Sequence, residues 1–326
     1  MNSMTLVAAI GGRPAGRVVL GPLLAVWGAL LLAPAASGQT IEEWLRLRWQ
    51  LWRVHVDGSE LQPIDQTPGY RCGSPDWSPD GRLIAYDVMI DGEGYGDAQV
   101  AVIRPDGTDR RMLGSGAVPG WSPDGKLIIC QTNTAEATVV MNPDGSGRET
   151  IFPEGFGLRW SPHANQVFAL FNRTGEGGGI YLFDLESGTK RQVFPGPSTP
   201  NHGYGVSPDG LRLCFGAGEN PFADEKGSIG VMQLDEKTKR ASLRWLVDSG
   251  IGYHASWAPD GRRFAYAWRP SKKDKTQIYV IDVDSDEPPK LLPGLDTSRH
   301  NVNPDWSPDG ETIVFSSSEP PEPSAE

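Results

Sequence analysis

Short apolar runs recur along this chain, and each follows the same kind of polar turn. The runs cover 83–86, 127–130, 167–170, 211–215, 264–268 and 313–315, and they are rich in Ile, Leu, Val and aromatic residues. Near-continuous apolar character over four or five residues predicts strands covered on both faces by neighbouring sheets. The turn ahead of the first run reads Trp77-Ser78-Pro79-Asp80-Gly81. It returns whole after Trp121 and Trp306, with Ala258 for Ser after Trp257, and in degraded form at Trp160-Ser161-Pro162-His163-Ala164-Asn165 and Val206-Ser207-Pro208-Asp209-Gly210. Pro presets φ at the second turn position and Gly accepts the left-handed conformation, so each copy predicts a tight β-connection. The six copies stand roughly 39 to 51 residues apart, the period of a β-propeller blade.

A second hairpin type alternates with the first. Its turns fall at Asp57-Gly58, Asp106-Gly107, Asp144-Gly145, Glu186-Ser187-Gly188, Glu236-Lys237 and Asp284-Ser285, each between β-rich flanks. The first of these precedes every Trp-Ser-Pro-Asp-Gly copy, and the last Trp copy, at 306–317, has no such partner after it. Ring closure reconciles the two: the hairpin at 51–64 supplies the outer strands of the blade whose inner strands are 303–317. The expected fold is therefore all-β, a six-bladed β-propeller of four-stranded blades closed by N- and C-terminal strands, which leaves no free sheet edge. The motif tryptophans Trp77, Trp121, Trp160, Trp257 and Trp306 are expected to pack between blades.

Outside 49–318, the propeller, the chain divides into three short segments. Residues 1–38 read as a Sec-type signal peptide, with a basic start at Arg13 and Arg17, an apolar core over 18–33 and a small-residue cleavage region ending near Ala36 or Gly38. A retained membrane anchor is the competing reading, interrupted by Pro22 and Gly28. Residues 39–48 have capping-box spacing at Thr40 and Glu43 and predict a short helical lead-in. The tail 319–326 is acidic and Pro-rich and reads as disordered. Loss of Arg13 and Arg17 takes the net charge from −11 to −13. That balance, with no basic run, argues against nucleic acid. Cys72, Cys130 and Cys214 are odd in number and suggest small buried apolar residues rather than a disulfide framework.

With these motifs counted, the chain resembles the TolB-type, or WD-like, propeller repeat over about 50–317. The resemblance implies an exported scaffold, periplasmic or secreted, that binds an envelope protein or peptide without catalysis of its own. It carries no α/β domain ahead of the propeller, unlike TolB itself. A monomer is expected, with no membrane span once the leader is removed. The residues leading into the innermost strands, at one mouth of the channel, are the candidate contacts: Ser74, Asp76, Arg159, Tyr204, Tyr253, Asn303 and Asp305. No catalytic residue and no cofactor is expected. About ten residues follow the last strand and no G-x-S-x-G elbow occurs, so the prolyl-peptidase plan is not expected.

The competing reading is a metal-dependent polysaccharide lyase of the oligogalacturonate type. It rests on His202, His254 and His300, which precede the first-strand motifs of three blades and would hold a divalent metal if they met at the channel mouth. Their offsets from the motif differ. A glycine-rich stretch with Asp91, Glu93 and Asp97 offers oxygens of the kind that bind calcium, but the EF-hand pattern is absent and an extended blade loop explains its glycines.

Overall fold

The computed structural model describes residues 47–90, 95–132, 137–152, 156–163, 165–171, 179–195, 203–217, 228–235, 237, 241–247, 251–271 and 273–319. They form six four-stranded antiparallel sheets. The first blade is β3 (Tyr70–Trp77), β4 (Ile84–Ile90), β5 (Gln99–Ile103) and β6 (Arg111–Ser115). The second is β7 (Ala117–Trp121), β8 (Ile128–Gln131), β9 (Thr138–Met141) and β10 (Glu149–Phe152). The third is β11 (Phe156–Trp160), β12 (Gln166–Phe171), β13 (Gly179–Asp184) and β14 (Lys190–Pro195). The fourth is β15 (Gly205–Val206), β16 (Arg212–Ala217), β17 (Ser228–Leu234) and β18 (Ala241–Val247). The fifth is β19 (Ile251–Trp257), β20 (Arg263–Arg269), β21 (Gln277–Asp282) and β22 (Lys290–Leu291). In the sixth, β23 (Asn301–Trp306) and β24 (Thr312–Ser318) are completed from the front of the chain by β1 (Trp49–His55) and β2 (Gln62–Asp65).

The predicted closure is therefore present. β1 pairs with β24 in unbroken register from Trp49↔Ser318 to His55↔Thr312. Each Ser-Pro-Asp-Gly turn builds the same local network. In the first copy Ser78 N–H donates to the Leu83 carbonyl at 2.8 Å and Gly81 N–H to the Ser78 carbonyl at 2.9 Å. The Ser78 hydroxyl donates to Asp80 at 2.8 Å and accepts from Leu83 N–H at 2.9 Å. Gly81 sits at φ +70°, and in the degraded third copy Asn165 takes over at φ +67°. Asn is among the few other residues that tolerate this region.

The apolar core is divided between blades. Six buried clusters each join residues of two adjacent blades, one cluster at every interface of the ring. Trp77, Trp121, Trp257 and Trp306 are buried in four of them, and Trp160 packs against a fifth. The tryptophans thus pack as wedges between blades. Cys72, Cys130 and Cys214 are free and buried.

The segment 1–38, expected from sequence to be a leader, and most of the expected helical lead-in lie outside the described residues. Of the lead-in, Leu47 packs with Trp49, Ala267 and Val302. At the other end, Glu319, placed by sequence in the tail, is tied back: its N–H donates to the Arg48 carbonyl at 2.7 Å and its carboxylate pairs with Arg48 at 3.3 Å. The rest of the tail, and Asp91 and Glu93 of the glycine-rich stretch, are outside the described residues, while Tyr95–Asp97 form a 3-10 turn. Among the described residues no helix is long and apolar enough to cross a membrane.

Candidate functional site

The innermost strands β3, β7, β11, β15, β19 and β23 surround an axial cavity of about 370 Å³. Two positions per strand shape it, counted back from the motif tryptophan. Three residues before it stand Ser74, Val118, Gly157, His254 and Asn303, all left-handed, at φ +45°, +51°, +57°, +47° and +52°. At each the strand register slips, so a bulge bends the innermost strand. Such backbone costs about 1–3 kcal/mol per non-glycine residue and gathers at functional sites. Val118, β-branched, is the most strained of them.

One buried group braces the Val118 bulge. Asp87, on β4, accepts the Val118 N–H at 2.9 Å. Burial pushes its carboxyl above the usual range, opposed by that N–H and by the Ser74 hydroxyl. A Cβ on Gly73 would stand 2.5 Å from the Asp87 carboxylate, so the chain uses glycine there.

The residue immediately before the tryptophan forms a second ring. Asp76, Arg159, Ser256 and Asp305 occupy it, with Gly120 and Gly205 in the remaining blades. Three of these side chains stitch neighbouring blades together. Asp76 accepts the Trp121 N–H at 2.6 Å, Asp305 accepts the Trp77 N–H at 2.8 Å, and Ser256 accepts the Trp306 N–H at 3.3 Å. Ser256 in turn donates to Asp305 at 2.7 Å. Both carboxyls keep a partial exposure to the cavity but are enclosed by protein. Desolvation therefore raises Asp76 to about 6. It raises Asp305 to about 8, with the Asp76 charge adding to it and the Arg159 guanidinium opposing it.

Of the seven residues singled out by sequence, Ser74, Asp76, Arg159, Asn303 and Asp305 line the cavity. Tyr204 does not. It is buried in the cluster between the third and fourth blades, because it stands two residues before the motif position rather than one or three, and the strand turns it the other way. Tyr253 lies in β19, and its side chain is outside the described residues. Val118 and Ser256 line the cavity and were missed. Their equivalence to Ser74 and Asp76 by offset from the tryptophan was the available signal. The histidines do not converge among the described residues. His254 lines the cavity, His202 lies outside the description, and His300 is fully buried, where it accepts the Thr276 N–H at Nδ1 at 3.1 Å. Burial holds His300 down to about 3.

No family model matches the chain. It is 32% identical over 119 residues to an uncharacterized protein of Agrobacterium fabrum, a match that spans 36% of each chain. It is 27% identical over 168 residues to YuxL of Bacillus subtilis, an uncharacterized peptidase, covering 48% of this chain and 21% of that one. The chain thus spans about a third or less of the length of these curated relatives. Among solved structures, a protein of Agrobacterium tumefaciens provisionally assigned as TolB superposes with a TM-score of 0.63 at 16% identity, covering 84% of this chain and 99% of that one. TolB from Acinetobacter baumannii superposes with a TM-score of 0.54 at 17% identity, covering 76% and 67%. The chain has the fold of the TolB-like six-bladed propellers.

Proposed function

We propose that this protein is an exported, non-catalytic binding module of the cell envelope, and that a protein or peptide partner docks at the axial cavity. One observation carries the reading. Strained backbone from at least four blades and two carboxyls held away from their ordinary titration converge on one cavity, a place where function concentrates. The TolB-like fold supports an envelope partner, and the leader at 1–38 supports export.

The metal-dependent lyase reading needs His202, His254 and His300 together. His300 already serves Thr276, so the binding reading is the one favoured here. The test is affinity capture from an envelope extract with wild-type protein and with Arg159→Glu, a cavity variant. Specific recovery of one protein by wild type, reduced at least tenfold by the variant, is the expected outcome. Equal recovery by both would reject the cavity as the docking site. Amino-terminal sequencing of the exported protein should give a start near residues 37–39.

A further inference from the structure

Every blade ends in an outer strand, and an unpaired strand edge invites another chain unless bulges, prolines or brevity blunt it. Five of the six outer strands are blunted in this way. β22 is two residues long and follows Pro288-Pro289, β2 contains Pro63, and β14 runs into Pro195. Register slips hold β2, β6, β10 and β14 to two or three residues of unbroken pairing. β18 differs. It pairs with β17 without a break from Leu234↔Ala241 to Gly230↔Trp245, five residues, before a bulge at Leu246, and it contains no proline. Among the described residues it is the longest regular outer edge, and it is the last strand of its sheet.

The same edge exposes large apolar side chains. Leu243 and Trp245 are 45% and 43% exposed, two residues apart and so on one face of the strand. Both are seated on the sheet. A Cβ on Gly230 of β17 would stand 2.9 Å from the Trp245 ring and 3.3 Å from the Leu243 side chain, so the glycine is the floor on which they lie. The indole also meets Phe215 edge-on at 5.8 Å between ring centroids. The surroundings are basic. In a chain of net charge −11, residues 237–247 carry Lys237, Lys239, Arg240 and Arg244 and no acid. β14, which touches β18, opens with the exposed Lys190 and Arg191. The acids of these two hairpins, Asp184, Glu186, Asp235 and Glu236, stand in the turns ahead of the strands, where Asp184 and Asp235 accept the N–H groups of Ser187 and Lys237. Arg244 itself reaches the Val283 carbonyl of the fifth blade.

We propose that β18 takes an extended acidic segment of a partner polypeptide as a fifth strand of the fourth blade. The backbone N–H and C=O groups of the open edge supply the pairing, whatever the partner's sequence. The side chains supply selectivity. With a two-residue period, the added strand sets apolar residues beside Leu243 and Trp245, and the acidic residues between them meet the surrounding positive charge. This surface lies at the rim of the ring, away from the axial cavity between the innermost strands. It goes beyond the docking function proposed above, and either can fail without the other.

Panning a phage-displayed library of random dodecapeptides on the full mature chain tests this. The selected sequences, made as synthetic peptides and titrated by calorimetry, should alternate apolar and acidic residues. They should bind at least tenfold more weakly to Trp245→Glu, and more weakly to wild type at high salt. An added strand pairs through every second residue only. Methylating one alternate set of peptide amide nitrogens should therefore abolish binding, and methylating the other set should leave it nearly unchanged. That comparison uses wild-type protein alone, so it holds even where a variant folds poorly. Arg159→Glu should bind these peptides as wild type does. No selected peptide, selected peptides without an acidic excess, equal binding by Trp245→Glu, or equal loss from the two methylation patterns would each overturn the proposal. A dimer in sedimentation equilibrium that Trp245→Glu dissociates would overturn it in favour of a second copy of this chain. Binding to phosphatidylglycerol vesicles that the same variant abolishes would overturn it in favour of a membrane surface. Docking at the axial cavity is tested separately, by the capture experiment with Arg159→Glu.

Discussion

The seam between the sixth and first blades carries two enclosed carboxylates, and they are held in opposite ways. Asp65, on β2 at the outer part of the seam, is saturated with donors. Thr67 donates its N–H at 2.9 Å and its hydroxyl at 2.6 Å, the Tyr86 hydroxyl donates at 2.6 Å, and Arg110 pairs with it at 3.0 Å. Burial would raise its carboxyl, but these hydrogen bonds and the Arg110 charge together hold it below the usual range. Asp305, at the axial end of the same seam, has one backbone N–H, one hydroxyl and a carboxylate neighbour, and it is raised instead. The same carboxyl chemistry thus gives a structural clamp in one place and an incomplete site in the other. The difference lies in how many donors and cations the fold supplies and in the stronger desolvation of Asp305, raised further by its Asp76 neighbour. A closure seam has to be stable without help, whereas a docking cavity can leave part of its polar demand to a partner.

Breaking the clamp should have the largest effect. Asp65→Ala strands Arg110 and the Tyr86 hydroxyl, and removal of one partner of a buried ion pair costs about 3–5 kcal/mol. Denaturant unfolding should show that loss at neutral pH, and a loss under 1 kcal/mol would show that the clamp is dispensable.

Asp305→Asn should act in the reverse direction. A carboxyl raised in the folded state contributes stability that is complete below the unfolded value of about 3.9 and is lost as pH rises through about 8. The variant removes that loss. It should match wild type near pH 4 and exceed it by about 1–3 kcal/mol at pH 9. Thermal unfolding across that range checks this, and a difference independent of pH would contradict it. Ser256→Ala removes a single hydroxyl from the axial chain and should cost about 1 kcal/mol in the same assay. A neutral result would mean that the Asp305 and Trp306 N–H contacts are remade by water.

The seam and the axis were not equally legible in the sequence. Ring closure could be read because a hairpin without a partner stood at each end of the repeats. Asp76, Arg159 and Asp305 could be read because the tryptophan beside each fixes its offset. Ser256 and Val118 carry the same offsets, yet neither residue type draws attention. Val118 is lining only because a bulge turns it left-handed, and a bulge depends on pairing across strands. Tyr204 shows the converse: an aromatic at a plausible place, turned into an interface by the strand's two-residue period. The Asp65 clamp joins residues 65, 86 and 110 from two blades, and no local pattern announces it. His300 precedes its motif by six residues, which puts it ahead of β23 rather than within the lining.

The contrast between the two carboxylates can be measured by carbon-detected NMR of the Asp side-chain carboxyls, titrated from pH 3 to pH 9 with Asp65→Asn and Asp305→Asn used for assignment. The account predicts that Asp65 titrates below the ordinary carboxylate range while Asp305 stays protonated to about 8. Two carboxyls titrating together near 4, the ordinary carboxylate value, would contradict it.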